Sequence, residues 1–229
     1  MGWDVLADAN GFLLICPIAS WKPGGKNGGI FFRQAYNTSS YFPSVPDDSG
    51  FLRRLILVME GSPSLGGFSV DPKRVFVMGM SSGGLRTHRM CRDNADIVAA
   101  CAPLSGTVWI GVPTPKLPSP RRSASIIEFH GDADPTISYC GGLFWGWQEG
   151  GIPYPSVDVD LNYWLAADGL GPNTTPPCSN GQPSKGSKLD FKSSDGKTEV
   201  QFVRELSSAH TYKQWAIAAA WEFFSTHGR

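Results

Sequence analysis

A serine framed by glycines, Gly79-Met80-Ser81-Ser82-Gly83, stands at the end of a short apolar run, residues 75–78. That layout suits a hydroxyl lifted onto a tight strand-to-helix turn, where it can attack a carbonyl carbon. In a chain with 27 glycines the five-residue pattern alone has little weight, since roughly one chain in three of such composition would carry it by chance. Its surroundings add the weight. Val75, Phe76, Val77 and Met78 form a run suited to a buried strand. Gly79 and Gly83 occupy positions where a side chain is expected to obstruct the turn. Leu85, Met90 and Cys91, mixed with Arg and His, predict a helix from Leu85 onward.

A serine hydroxyl is a poor nucleophile until a base takes its proton, and that base needs a third group to fix its tautomer. Four histidines are available. His88 follows the serine on the same expected helix and would point away from the turn. His227 sits beside the C-terminus, and His130 ends a strand, where a structural hydrogen bond is its expected role. His210 lies in a loop with small neighbours, Ser207-Ser208-Ala209, between a strand at 199–206 and the last helix. From there an imidazole can reach across the C-terminal edge of a sheet. For the acid, His130-Gly131-Asp132-Ala133-Asp134-Pro135-Thr136 offers Asp132 and Asp134, and Pro135 stiffens the turn just after Asp134. The plainer reading is an Asp-rich turn whose carboxylates bond their own backbone. Against it stands the order Ser81, Asp134, His210, each after a strand: nucleophile, acid and base in the sequence of the α/β-hydrolase triad.

The elements that must position these groups alternate along the chain. A buried strand is expected at 11–18, a helix at 49–59 capped by Ser49, strands at 97–104 and 123–130, a helix at 158–167 and a helix at 212–227. The Gly/Pro/Ser-rich stretch 20–47 is too long for a plain connector and is expected to wall a substrate site. Strands alternating with helices imply a mainly parallel sheet covered on both faces. The whole of 1–229 reads as a single domain. The formal charge is zero with 17% charged residues and no basic stripe, which excludes nucleic acid as a partner. No window approaches 18 unbroken apolar residues, so no membrane span is expected. The five cysteines are too scattered for zinc spacing, and the chemistry needs no metal or organic cofactor. Cys16 and Cys101 lie in apolar runs and are expected as buried small hydrophobes. Cys91, Cys140 and Cys178 have more polar neighbours, where a disulfide would fit an oxidising compartment.

The combination of segments resembles the polyhydroxybutyrate-depolymerase and feruloyl-esterase-like group of α/β-hydrolases. Four segments carry the resemblance: 70–77 leading into Gly79-Met80-Ser81-Ser82-Gly83-Gly84; Ala102-Pro103-Leu104-Ser105-Gly106; His130-Gly131-Asp132-Ala133-Asp134-Pro135; and Ala209-His210-Thr211. It implies Ser81 as nucleophile, His210 as base and Asp134 as acid, because the family's His-Gly-x-x-Asp pattern lands on Asp134. It also implies the Ser82 N–H as one oxyanion donor. In that family an earlier strand ends in a His-Gly-type loop that supplies the other donor. No such segment precedes Trp3, so an N-terminally shortened α/β-hydrolase is expected, with 12–18 either flanking a missing strand or pairing directly with the elbow strand.

The expected activity is serine-dependent carboxylic-ester hydrolysis through an acyl-enzyme, on feruloyl or other aryl esters or on short hydroxyalkanoates, small or polymer-linked. The aromatic-rich stretch after Asp134 suggests Tyr139, Trp145 and Trp147 as pocket walls, although packing of that loop onto the sheet explains them equally well. Two alternatives are a catalytically impaired remnant with a binding role and a serine peptidase of the same fold. This sequence shows no signal peptide. The full-length form is expected outside the cell.

Overall fold

The computed structural model describes residues 2–18, 47–61, 69–108, 124–144, 152–172, 178 and 188–229. Its helices are α1 (Trp3–Asn10), α2 (Asp48–Glu60), α3 (Ser82–Asp93), α4 (Val157–Ala167) and α5 (Gln214–Ser225). Its strands are β1 (Phe76–Met80), β2 (Ala100–Leu104), β3 (Ser125–Gly131), β4 (Gly142–Phe144), β5 (Ile152–Tyr154), β6 (Lys188–Lys192) and β7 (Glu199–Glu205).

The main sheet runs in the order β1-β2-β3-β7-β6. The first three pairings are parallel, and β6 closes the far edge antiparallel to β7. A separate antiparallel pair joins β4 and β5. Neither β6 nor that small hairpin was legible in the sequence. Alternation along the central strands divides the core between two faces, as the two-residue period of a strand requires. Ala100, Ala102 and Leu104 of β2, with Ile127 and Phe129 of β3, pack on Ala216, Ala220, Phe223 and Phe224 of α5. Cys101, Ile126, Val200 and Phe202 belong to the cluster that holds Leu161, Trp164 and Leu165 of α4. Near-continuous apolar strands with helices on both faces mark a buried parallel sheet.

Three expectations are corrected. Residues 12–18 form no strand: Leu13 is 49% and Ile18 85% exposed, and no pairing with β1 occurs. An apolar run becomes a strand only where a neighbouring edge takes its hydrogen bonds, and among the described residues none does so here. What anchors the segment is Phe12, stacked 4.6 Å from Trp221 of α5. The start of α2 is capped by Asp47, whose Oδ1 accepts the Gly50 N–H at 2.9 Å, and not by Ser49. Ser49 is buried instead, with its hydroxyl on Met90 Sδ. Cys101 is not an isolated hydrophobe but is bridged to Cys91, and Cys140 is bridged to Cys178. Cys16 is free and exposed, on the segment that fails to become a strand. The long stretch expected as a substrate wall falls almost wholly outside the described residues.

Candidate active site

The parallel pairing sends β1, β3 and β7 in one direction, so the loops that leave their C-terminal ends share a rim. Ser81 follows β1 directly and caps α3 with φ 56° and ψ −118°. Few non-glycine residues adopt a positive φ, and holding one there costs on the order of 1–3 kcal/mol, which the surroundings must offset. The Ser81 N–H donates to Leu104 O at 2.9 Å, extending the β1–β2 ladder, while Leu85 N–H returns to Ser81 O at 3.0 Å as the first helical turn. The turn is tight because α3 lies back on the strand: a Cβ at Gly79 would stand 2.5 Å from Gly83 O.

The expected role of Gly83 is corrected. A Cβ there would meet nothing within 4 Å. The crowded neighbour is Gly84, whose Cβ would lie 2.6 Å from Leu104 O and 3.1 Å from Gly106 Cα. Those two glycines let α3 settle against the end of β2. Ser82 heads the helix, where first-turn N–H groups have no intrahelical acceptor and the helix dipole is positive.

His210 reaches the serine from the loop after β7. Its Nε2 lies 2.8 Å from Ser81 Oγ and its Nδ1 lies 2.7 Å from Asp134 Oδ2. A carboxylate oxygen only accepts, so the ring proton belongs on Nδ1 and the Nε2 lone pair faces the hydroxyl. The imidazole is 19% exposed, whereas the Asp134 carboxylate is fully buried. Burial pushes the Asp134 pKa up. The His210 hydrogen bond and the N–H groups of Ile137 and Thr136 on Oδ1 outweigh it and hold the group below its ordinary value. His130 steadies the same turn by donating from Nε2 to Ile137 O at 2.8 Å, with Asp134 Oδ2 only 3.7 Å away.

Asp132, the other acid of the segment, is not beside the histidine ring. Its Oδ2 accepts from Arg204 Nε and Nη2 at 3.0 and 2.8 Å, and its Oδ1 accepts the Ser207 N–H at 2.7 Å. Tyr139 is corrected as a pocket wall. It is 4% exposed, with its ring between His130 and Phe202, and belongs to the core. Trp145 and Trp147 lie outside the described residues.

Behind the sheet's C-terminal rim, His88, Glu128 and Asp160 bring one ligand atom each within 4.8 Å of one another, all buried. The Trp164 indole N–H donates to His88 Nδ1 at 3.1 Å. Burial lowers the His88 pKa to about 3, so the ring is neutral, and its proton must be on Nε2. That nitrogen lies 3.9 Å from Glu128 Oε1, beyond hydrogen-bond reach, and with its proton in place offers a metal no lone pair. The group reads as a proton-holding cluster. Burial raises the Glu128 pKa well above the ordinary carboxyl range, and burial together with the Glu128 charge does the same to Asp160.

No family model matches the chain. It is 25% identical over 222 residues to a bifunctional acetylxylan esterase/xylanase of Neocallimastix patriciarum, an alignment covering 94% of this chain and 28% of the relative. It is 26% identical over 152 residues to feruloyl esterase B of Piromyces equi, covering 60% of this chain and 28% of the relative. The chain thus spans little more than a quarter of the length of either curated relative. Among solved structures, Arabidopsis thaliana SOBER1 superposes with TM-score 0.49 at 15% identity over 91% of this chain and 80% of that one. An acetyl xylan esterase from Aspergillus awamori superposes with TM-score 0.46 at 17% identity, over 77% and 67% respectively. With its elbow after β1 and its parallel sheet flanked by α4 and α5, the chain has the α/β-hydrolase fold and is similar in sequence to named acetylxylan and feruloyl esterases.

Proposed function

We propose that the protein is a serine carboxylic-ester hydrolase. The observation that carries the reading is the hydrogen-bonded series Asp134–His210–Ser81, at 2.7 and 2.8 Å, assembled from three loops on one rim of a parallel sheet. Ser81 Oγ attacks the ester carbonyl while His210 Nε2 takes its proton, and Asp134 stabilises the imidazolium that results. The oxyanion forms at the N-terminus of α3, where the Ser82 N–H donates to it. His210 returns the proton to the departing alcohol. Water then cleaves the acyl-enzyme with His210 again as base.

The substrate class we assign is an acyl ester of a carbohydrate polymer, acetyl or hydroxycinnamoyl. The names of the two curated relatives support it. Two disulfides support export to an oxidising compartment, where such polymers are met. A second reading, a weakly active hydrolase with a binding role, is favoured by one observation: β1, which delivers the nucleophile, is only half-buried along its length and forms one edge of the described sheet.

Hydrolysis of p-nitrophenyl acetate and butyrate decides between them. The reading expects turnover that Ser81→Ala reduces to background. Equal rates for the two proteins would sink it. Methyl ferulate, acetylated xylan and a hydroxybutyrate oligomer, compared by kcat/KM, then identify the acyl group.

A further inference from the structure

We propose that Asp132 is a positioning residue, which holds the loop of the catalytic base in register with the turn of the catalytic acid. The inference rests on the esterase reading for its rate effects but on geometry for its substance. Asp134 and His210 are 76 positions apart and belong to different connections, so the 2.7 Å contact between them needs the two backbones to be locked together.

The lock has three parts. Gly131 lets the acid turn approach the base loop so closely that a Cβ there would collide with Ser208 O. The Asp132 N–H donates to Glu205 O at 3.1 Å, and the Ala133 N–H donates to Ser208 O at 3.1 Å. The third part is the Asp132 side chain. It ties the end of β7, through Arg204, to the start of the histidine loop, through the Ser207 N–H.

Ser207 is the point where the loop needs holding. It has φ 53°, a left-handed conformation that a serine enters at a cost. Directly after it, Ser208 turns inward, its hydroxyl donating to Glu205 Oε2 at 3.0 Å. The His210 ring follows two residues later. The Asp132 and Arg204 side chains are 10% and 12% exposed, so their ion pair meets little competition from water, while the Ser207 N–H bond lies at the surface. An Asp in such a place accepts three hydrogen bonds on two oxygens, from a side chain and a backbone that both lead to the base. Removing the carboxylate frees Ser207 to relax, and His210 moves with it. A displacement on the order of 1 Å of a catalytic group lowers turnover by about a hundredfold.

The test compares wild type with Asp132→Ala, Asp132→Asn and Arg204→Gln, and uses Asp96→Asn as a control. Asp96 makes the same kind of ion pair with Arg53, but away from the three loops. Two readouts are taken well below the melting temperature. One is kcat and KM on p-nitrophenyl acetate. The other is the downfield proton resonance of His210 Nδ1–H, assigned by its loss in His210→Ala, which reports the bond to Asp134 without any substrate. Asp132→Ala is expected to lower kcat roughly 30- to 100-fold with KM within about threefold, and to weaken or abolish the resonance. Asp132→Asn keeps an acceptor for Ser207 and is expected to fall between. The control is expected to match wild type on both measures.

An Asp132→Ala protein with an intact resonance, whatever its turnover, overturns the proposal. So does turnover within twofold of wild type. If that variant fails to fold, the same two readouts on Asp132→Asn and Arg204→Gln decide. A wild type with no esterase activity would refute the proposed function, yet the resonance would still test the lock.

Discussion

In the proposed mechanism Ser81, Asp134 and His210 do different jobs because their surroundings differ. The serine is held at φ 56° so that its hydroxyl projects from the turn. The histidine is partly open to solvent, where substrate can reach it. The aspartate is sealed and receives two backbone N–H groups on one oxygen and the imidazole on the other. Asp134→Asn keeps the shape but offers the ring an amide in place of a charge, which favours the wrong tautomer. We expect kcat on p-nitrophenyl acetate to fall by about 10³- to 10⁴-fold, with the melting temperature nearly unchanged. A loss under tenfold would remove Asp134 from the mechanism. The serine motif and the two residues that the structure brings to it, His210 and Asp134, were readable as residue types at strand ends. Asp132 and Asp134 were both readable, and Pro135 and the His-Gly-x-x-Asp pattern already pointed to Asp134, but nothing in the sequence showed that Asp132 would meet Arg204.

At the scale of elements, the elbow depends on how closely α3 lies on β1 and β2. Gly84 meets Leu104 O and Gly106 head-on, while Gly83 faces open space within the same helix. The two alanine variants should therefore diverge. Gly84→Ala forces helix and strand apart and is expected to cost about 1–3 kcal/mol, as an overpacked contact does. Gly83→Ala is expected to be neutral or to stabilise by up to about 1 kcal/mol, since alanine is the better helix former. Urea unfolding of both measures the difference, and equal losses would show that the helix contact is not what the turn needs. The five-residue motif includes Gly83 and leaves Gly84 out, and the distinction arises from the strand that α3 packs against.

For the whole molecule, the buried His88–Glu128–Asp160 cluster links folding to pH in two opposing ways. The two carboxyls hold their protons in the folded state more tightly than in the unfolded chain, so their contribution to stability declines as pH rises above about 4. His88, lowered to about 3 when folded, is protonated below about 6.5 only in the unfolded chain, so its contribution declines as pH falls. Above about pH 7 the histidine no longer contributes a slope. Glu128→Gln removes one of the two carboxyls. Its melting temperature should fall less steeply with rising pH than that of wild type from about pH 4.5 upward, with His88 contributing equally to both proteins, and parallel slopes would show that Glu128 does not carry the linkage.

The amino-acid sequence by itself determined the alternation of strands and helices, the glycine-framed serine, and the order Ser81, Asp134, His210 along the chain. These follow from periodicity and from neighbours a few positions apart. Only the tertiary structure decided what lay between distant segments. It brought His210 to Ser81 across 129 positions, drew Tyr139 into the core, joined Cys101 to Cys91, and left 12–18 largely exposed with no partner strand among the described residues. Local preference sets what a segment tends to become. Which contacts form depends on which surfaces the folded chain places side by side, and that is a property of the sheet's register and edges, not of any short stretch of residues.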